Sequence, residues 1–512
     1  MVKLKRILFA SATALALSLT AAQAAELRVG FTLDAHTLDP ANHRNRETET
    51  IIRNMYDGLL TRDGEMKVVP EIAEAFVMVS PTVYDFRIRE GITFHDGSPL
   101  TAEDVRFTLE RLTAEGAMGE GQTSPRKSLL GPLQSVEVRD GNTVRITLSE
   151  PWPILPAMLP FQEVVSKAFV EKVGTQGLAT QVNGTGPFKL VAWRKGDAII
   201  MERFDDYYGG AASIEPVGKA CVDRAIFKII PESASRVAAL LSGDVDIINE
   251  LPPFSVEQVK NNPGTDVMTV NGTRSFFIAM NMEGELFGDA KVRRAAAHAI
   301  DKDLIIDRIL GGNAARIEGI LSPDAFAAST DLPRYEYDPD KARALLAEAG
   351  YPDGIDVTMD TVGAYKDIAE AVASLLTKAG IRTRVAVGEG AQMTQKWRTK
   401  GGPKSGDMYF TSWGNGSLDP FDIFTPTHRT NDRGNSAGYA NPELDRLLDE
   451  AAVELDTEKR AALYRKAEQM VNADLPYVYL WVPQDIYGVS KRLKGWRPSA
   501  DSRINLHDAC VD

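Results

Sequence analysis

The stretch Tyr84–Val105 reads Y-D-F-R-I-R-E-G-I-T-F-H-D-G-S-P-L-T-A-E-D-V. Together with Val83, its first residues alternate apolar and polar, the period of a strand with one apolar face. Gly91–Gly97 then supplies a turn, I-T-F-H-D-G between its glycines. Thr101 and Asp104 stand at capping-box spacing, which predicts a helix running to about Leu112. Outward from here the same alternation recurs. Strand Ile355–Thr361, helix Lys366–Ala379 and strand Thr383–Val387 make a βαβ unit. Val136–Val138 and Thr143–Leu148 read as a hairpin about Asp140-Gly141, whereas Ala114–Pro132 is rich in Gly, Ser and Pro and is expected to be irregular. Asp289 caps a helix expected over Ala290–Leu310, with Arg293, Arg294 and Lys302 on a solvated face. The last strands are expected at Val478–Val482 and Ile486–Val489.

The ends and the composition bound the function. Met1–Arg6 is basic, Ile7–Leu19 is apolar, and Ala22-Gln23-Ala24 has the small-x-small form of a cleavage site, so residues 1–24 are expected to be a secretory signal peptide cut after Ala24. The apolar run is too short for a membrane helix, and no cysteine follows the cut to carry a lipid anchor. The chain has 512 residues, more than one core usually serves. Its net charge of −13 argues against nucleic acid as a partner, which demands a basic face. The two cysteines, Cys221 and Cys510, are expected to form a disulfide in an oxidising compartment; two unpaired thiols are the alternative. Nothing resembles a zinc ligand set.

Several strings together resemble one family, the extracellular solute-binding proteins of ABC importers in the dipeptide, oligopeptide, nickel and glutathione class. Tyr84–Val105 is one. Asn183–Phe188 (N-G-T-G-P-F), Asp205–Gly209 (D-D-Y-Y-G), Phe277–Ile306, Tyr337–Gly350, Asp407–Asp419 and Tyr439–Leu448 are the others, in the family's order across almost the whole mature chain. The resemblance implies an α/β fold of two lobes joined by a hinge, with an additional subdomain inserted in the first lobe. The first lobe would be 25–70, 188–272 and 485–512, the insert 71–187, and the second lobe 273–484. It also implies a periplasmic monomer that carries a small solute to a membrane permease and its ATPase, with no cofactor.

Candidate ligand contacts lie on strand-end loops. In Asp407–His428 an apolar strand exits at Trp413, and Gly414, Asn415 and Gly416 follow with backbone freedom closed to bulkier residues. Asp419-Pro420 ends the loop. In peptide-binding relatives this loop reads W-x-x-D-x-x-D-P, and its first Asp receives the peptide's ammonium. Here Gly416 holds that position, so the loop lacks the clasp, and Asp419 is expected to fix the backbone. Thr32, Asp34 and His36 follow the first strand, and Tyr365 follows the strand Ile355–Thr361. Glu163 is a candidate for holding a cation. Arg126, His428 and Arg429 are candidates for an anionic end, since guanidinium grips carboxylate bidentately. His95-Asp96 reads as a turn rather than a catalytic pair.

These readings lead to a solute-binding protein that closes about its ligand, the solute being peptide-like, a modified amino acid, opine or sugar conjugate, or a metal chelate. A periplasmic sensor or chaperone on the same fold is the alternative. An exported hydrolase would need a catalytic set; no G-x-S-x-G nucleophile elbow is expected, no H-E-x-x-H occurs, and the chain has only six histidines.

Overall fold

A computed structural model describes residues 25–398 and 406–512; the expected signal peptide lies outside the described residues. One long strand, Tyr477–Ser490, runs through the middle of a twelve-stranded mixed sheet. From one edge the order is Ile381–Gly388, Ile355–Val362, Met408–Gly414, Arg274–Met280, Tyr477–Ser490, Ile247–Ile248, Glu26–Phe31, Arg224–Ile229, Ala198–Arg203 and Phe188–Arg194. Thr265–Asn271 and Ala314–Arg316 pair with the long strand off this path. The βαβ unit is present: Ile355–Val362 pairs in parallel with Ile381–Gly388, Met359 opposite Val385, and Lys366–Lys378 is the crossover helix.

The sequence splits the long strand in two because Pro483 cannot donate to a ladder. The backbone nevertheless stays extended, and only the partner changes. Before Pro483 the strand pairs with Arg274–Met280, Phe277 opposite Tyr479. After it the partner is Thr265–Asn271, with Asn271 opposite Gln484. Two neighbouring segments, at Gly272–Thr273 and at Pro483–Gln484, therefore join the two halves of the sheet.

Burial on both faces explains why the central strands read as unbroken apolar runs. Phe276, Ile278 and Met280 pack with Val357, Met359 and the helix residues Val372 and Leu376. Phe277 and Ala279 face the other way, against Tyr409, Tyr479, Leu447 and Tyr464. In the other half, Leu27, Val29 and Phe31 pack on Ile51 and Ile52. A separate antiparallel sheet, in the order Ala73–Ser80, Val83–Ile88, Thr143–Leu148, Leu133–Val138, packs with the helix Ala102–Thr113 around its own core. The expected capping box is formed, the Thr101 N–H donating to Asp104 at 2.9 Å.

Two of the quoted strings dock on one another. His95 hydrogen-bonds the Gly186 carbonyl at 3.0 Å, and Asp96 accepts from Asn183 at 3.0 Å. Gly184 is required there, because a Cβ would stand 2.0 Å from the Met55 carbonyl oxygen. Cys221 and Cys510 form a disulfide, their Cα atoms 5.2 Å apart.

Two expectations are corrected. Ala290–Leu310 is two helices, Ala290–His298 and Lys302–Arg308, because Asp301 caps the second by accepting from Leu304 N–H at 2.9 Å. Nor are Arg293 and Lys302 solvated. Arg293 is buried and donates to the carbonyls of Phe287, Gly288 and Asp474, while Lys302 is buried with its Nζ 2.7 Å from Glu318.

Candidate functional site

A cavity of about 860 Å³ lies where the two halves of the sheet meet, within the usual range for a small-molecule site. One wall comes from the helix Arg46–Ile52, whose Asn45 cap accepts from Thr48 N–H at 2.7 Å. This helix start brings Arg46, Glu47 and Glu49 to the cavity, and Arg44 precedes it. Opposite stand Arg274, at the head of a buried strand, and Trp413, Gly414, Gly416 and Asp422. Asn249–Pro253, Pro483–Tyr487 and Asp501–Arg503 also line it, with Phe31, Leu129, Phe161 and Leu310 as apolar surface.

Under the cavity lies a buried charge cluster. Arg126 contacts Glu49 and donates to Glu163 at 2.8 Å, and Arg503 reaches Glu49 at 3.0 Å. Burial raises Glu49, but Arg126, then Arg503 and His43, pull it down to about 2. Burial, with Glu49 nearby, pushes Glu163 up to about 7. His43 is lowered to about 3, chiefly by burial and by Arg126. The cluster neutralises itself, so it is a rigid floor rather than a free charge.

The charges above it differ. Among the described residues, Arg44, Arg46, Arg274, Glu47, Glu250, Asp422 and Asp485 line the cavity without an ion-pair partner. Asp422 takes only a 3.3 Å hydrogen bond from Ser417. The guanidiniums of Arg398 and Arg433 lie over the Trp413 ring, 4.9 and 4.8 Å from its centroid, so its π-system is already engaged by two cations.

Of the residues singled out in the sequence, Trp413, Gly414, Gly416 and Arg126 line this cavity. Asn415 is buried beside it, its N–H donating to the Thr273 carbonyl at 2.8 Å. Thr32 stands behind the lining, hydrogen-bonded to Asn249 and Glu250. Tyr365 likewise acts from behind, 2.9 Å from Ser412 Oγ. The rest are turned elsewhere. Asp34 accepts from Trp193 and from Gly196 N–H, and His36 is exposed away from the lining. Asp419 accepts from Phe421 N–H and holds Arg460 through two 2.7 Å bonds. His428 is buried between Thr427 and Tyr479, Arg429 pairs with Asp449, and Glu163 is sealed beneath Arg126. Arg126 reaches the lining with its charge already spent on two carboxylates.

Arg46, Arg274, Asp422 and Asp485 were not legible as site residues. Arg274 carried the one available signal, a long charged side chain opening the otherwise apolar run R-S-F-F-I-A-M. The expectation that the chain carries no G-x-S-x-G string is corrected: G-N-S-A-G at Gly434–Gly438 has that spacing. Ser436 there is fully buried in a loop between turns, its Oγ on the Gly434 carbonyl, with neither the strand before it nor the helix after it that exposes a nucleophile.

The model of the bacterial extracellular solute-binding proteins, family 5 (middle region), matches residues 67–435. The chain belongs to that family. Its members are the solute-binding components of ABC importers, and the family's fold is two-lobed with mixed α/β structure. The glutathione-binding protein GsiB of Pectobacterium atrosepticum is 27% identical over 500 residues, covering 96% of this chain and 94% of its own. The solved structure of HbpA2 from Haemophilus parasuis superposes with a TM-score of 0.84 at 24% identity, covering 95% of this chain and 100% of that one. AgaA from A. tumefaciens R10, solved in complex with agropinic acid, gives a TM-score of 0.75 at 26% identity, covering 95% and 99%. Family-5 relatives are binding proteins, and among the described residues no helix is long and apolar enough to cross a membrane.

Proposed function

We propose that this family-5 protein works in the periplasm as a monomer. On this reading it captures a small, charged, amino-acid-derived solute in the cavity and hands it to an ABC permease and its ATPase. One observation carries the choice of solute: the cavity presents cations and anions that, among the described residues, have hydroxyl partners at most and no ion-pair partner, so both signs of charge await a ligand. The named ligands of two relatives, glutathione and agropinic acid, support the same class. A plain peptide has no ammonium clasp in the Trp413 loop, because Gly416 stands at that position. The lobes would be 25–70 with 188–272 and 485–512, and 273–484, with 71–187 inserted; the change of strand partner at Pro483 supports a hinge there. Ligand would then favour the closed form by its differential affinity for it. No catalytic role is proposed, and the acidic net charge supports a role without nucleic acid.

Mass spectrometry of small molecules released on denaturing gently purified protein tests this. A zwitterionic or anionic amino-acid derivative that raises the Tm when added back is the expected result. An abundant neutral sugar or lipid that does so instead would overturn the choice of solute.

A further inference from the structure

At the point where the two halves of the sheet cross, three charged groups converge without pairing. Arg46 donates to Ser502 Oγ at 2.8 Å and to Thr273 Oγ1 at 3.3 Å. The same Ser502 hydroxyl donates to Asp485. Ser502 thus stands between guanidinium and carboxylate and holds them one hydroxyl apart, from a left-handed backbone with φ of 62°. The neighbour of Thr273, Arg274, extends its guanidinium over Gly414, where a Cβ would stand 3.2 Å from Nη2. A single 3.3 Å bond to Ser412 Oγ steadies it, and Tyr365 anchors that serine. Among the described residues neither arginine has a carboxylate within the 4.0 Å of an ion pair, and neither has Asp485 a cation. All three line the same cavity.

We infer that Arg46, Arg274 and Asp485 form a subsite for an α-amino-acid head group. Its carboxylate lies between the two guanidiniums and its ammonium, or secondary ammonium, lies on Asp485. The inference rests on the reading of this cavity as the solute site. The chemistry recommends it over a lone anion site. Two adjacent guanidiniums repel each other until an anion comes between them, and a bidentate carboxylate fits their planar forks. A half-buried carboxylate one hydroxyl away calls for a cation at close spacing, and a head group with nitrogen and carboxylate on one carbon brings both charges close together. Burial, with Arg46 and Arg398 alongside, pushes Arg274 below the usual arginine range, and burial pushes Asp485 up, so each gains when its opposite charge arrives.

Thermal shift and calorimetry on the whole protein decide this with five probes. In γ-glutamylglycine and an N-(1-carboxyethyl) amino acid, nitrogen and carboxylate share a carbon. In α-glutamylglycine, an isomer of the first, and in tetraalanine, the free ammonium and carboxylates sit on different carbons. A neutral disaccharide is the fifth. At least one of the first two is expected to bind, and its Kd should weaken about thirtyfold or more in Arg274→Gln and in Asp485→Asn. Arg274→Lys should recover part of the loss, keeping the charge without the fork. The ligand-free Tm of each variant separates lost binding from lost folding. Binding of α-glutamylglycine as tight as its isomer, an unchanged Kd in folded Arg274→Gln, or silence of both head-bearing probes overturns the subsite. If the disaccharide or tetraalanine alone binds, solute capture by the cavity stands and the head-group assignment fails. Silence of all five removes the amino-acid-derived solute as well.

Discussion

Glu468 shows how much one buried residue can contribute to pH dependence. It sits in the helix Thr457–Asp474, nearly fully buried, accepting the Ser329 N–H at 2.8 Å. Burial pushes its carboxyl up to about 7, against the pull of the Ser329 bonds. The unfolded chain ionises this group near the ordinary value of about 4.3. Between those values the folded state binds the extra proton, so stability falls as pH rises from about 5 to 7.5, by on the order of 2 kcal/mol through this group. Glu468→Gln is expected to flatten that fall, in urea unfolding at a series of pH values. A slope the same in variant and wild type would contradict the assignment. Such residues were invisible in the sequence, where Glu468 is one more polar position on a helix. The same holds at the site. Arg46 meets Ser502 across 456 positions and Asp485 meets it across 17, and no local pattern reports either contact.

The elements were more legible than the residues, and for identifiable reasons. The capping box at Thr101, the βαβ unit at Ile355–Val387 and the hairpin at Val136–Leu148 each rest on local chemistry, and each forms. Two elements that depend on tertiary context were misread. Ala290–Leu310 carries a continuous helical period, yet Asp301 caps a second helix inside it. Pro483 signals a break, yet the strand continues because Pro483 lies at the change of partner, opposite Ala314. That junction is tight as well as continuous. Gly272 donates to the Pro483 carbonyl at 3.0 Å, and a Cβ on Gly272 would stand 2.6 Å from that oxygen. Both atoms belong to backbone at the crossing, so neither yields as a flexible side chain would. Gly272→Ala is therefore expected to destabilise the protein by about 1–3 kcal/mol, the usual cost of overpacking. Chemical denaturation measures it. A variant as stable as the wild type would mean that the crossing segments slide apart freely.

For the whole molecule, the disulfide ties the last residues of the chain to a segment 289 positions earlier. Both cysteines belong to the half of the sheet built on Glu26–Phe31. Cys510 lies in a two-residue strand paired with Leu493–Lys494, and Cys221 precedes the strand Arg224–Ile229. Ala220, Val222 and Ala509, the residues beside the cysteines, share the core of that half. The cross-link thus stays within one body and leaves the crossing at Pro483 unconstrained. Cross-linking so long a loop restricts the unfolded chain most, which typically stabilises by about 2–4 kcal/mol. The double variant Cys221→Ser, Cys510→Ser should accordingly lose roughly that much stability in denaturant. Its affinity for any solute that binds the wild type should stay within about twofold, since neither cysteine lines the cavity. A reduced wild type should behave like the double variant. The informative contrary outcome is retained stability with weakened binding. That would place the C-terminal segment Asp501–Cys510, which carries Ser502, under the control of the disulfide and make the bond part of the site's geometry.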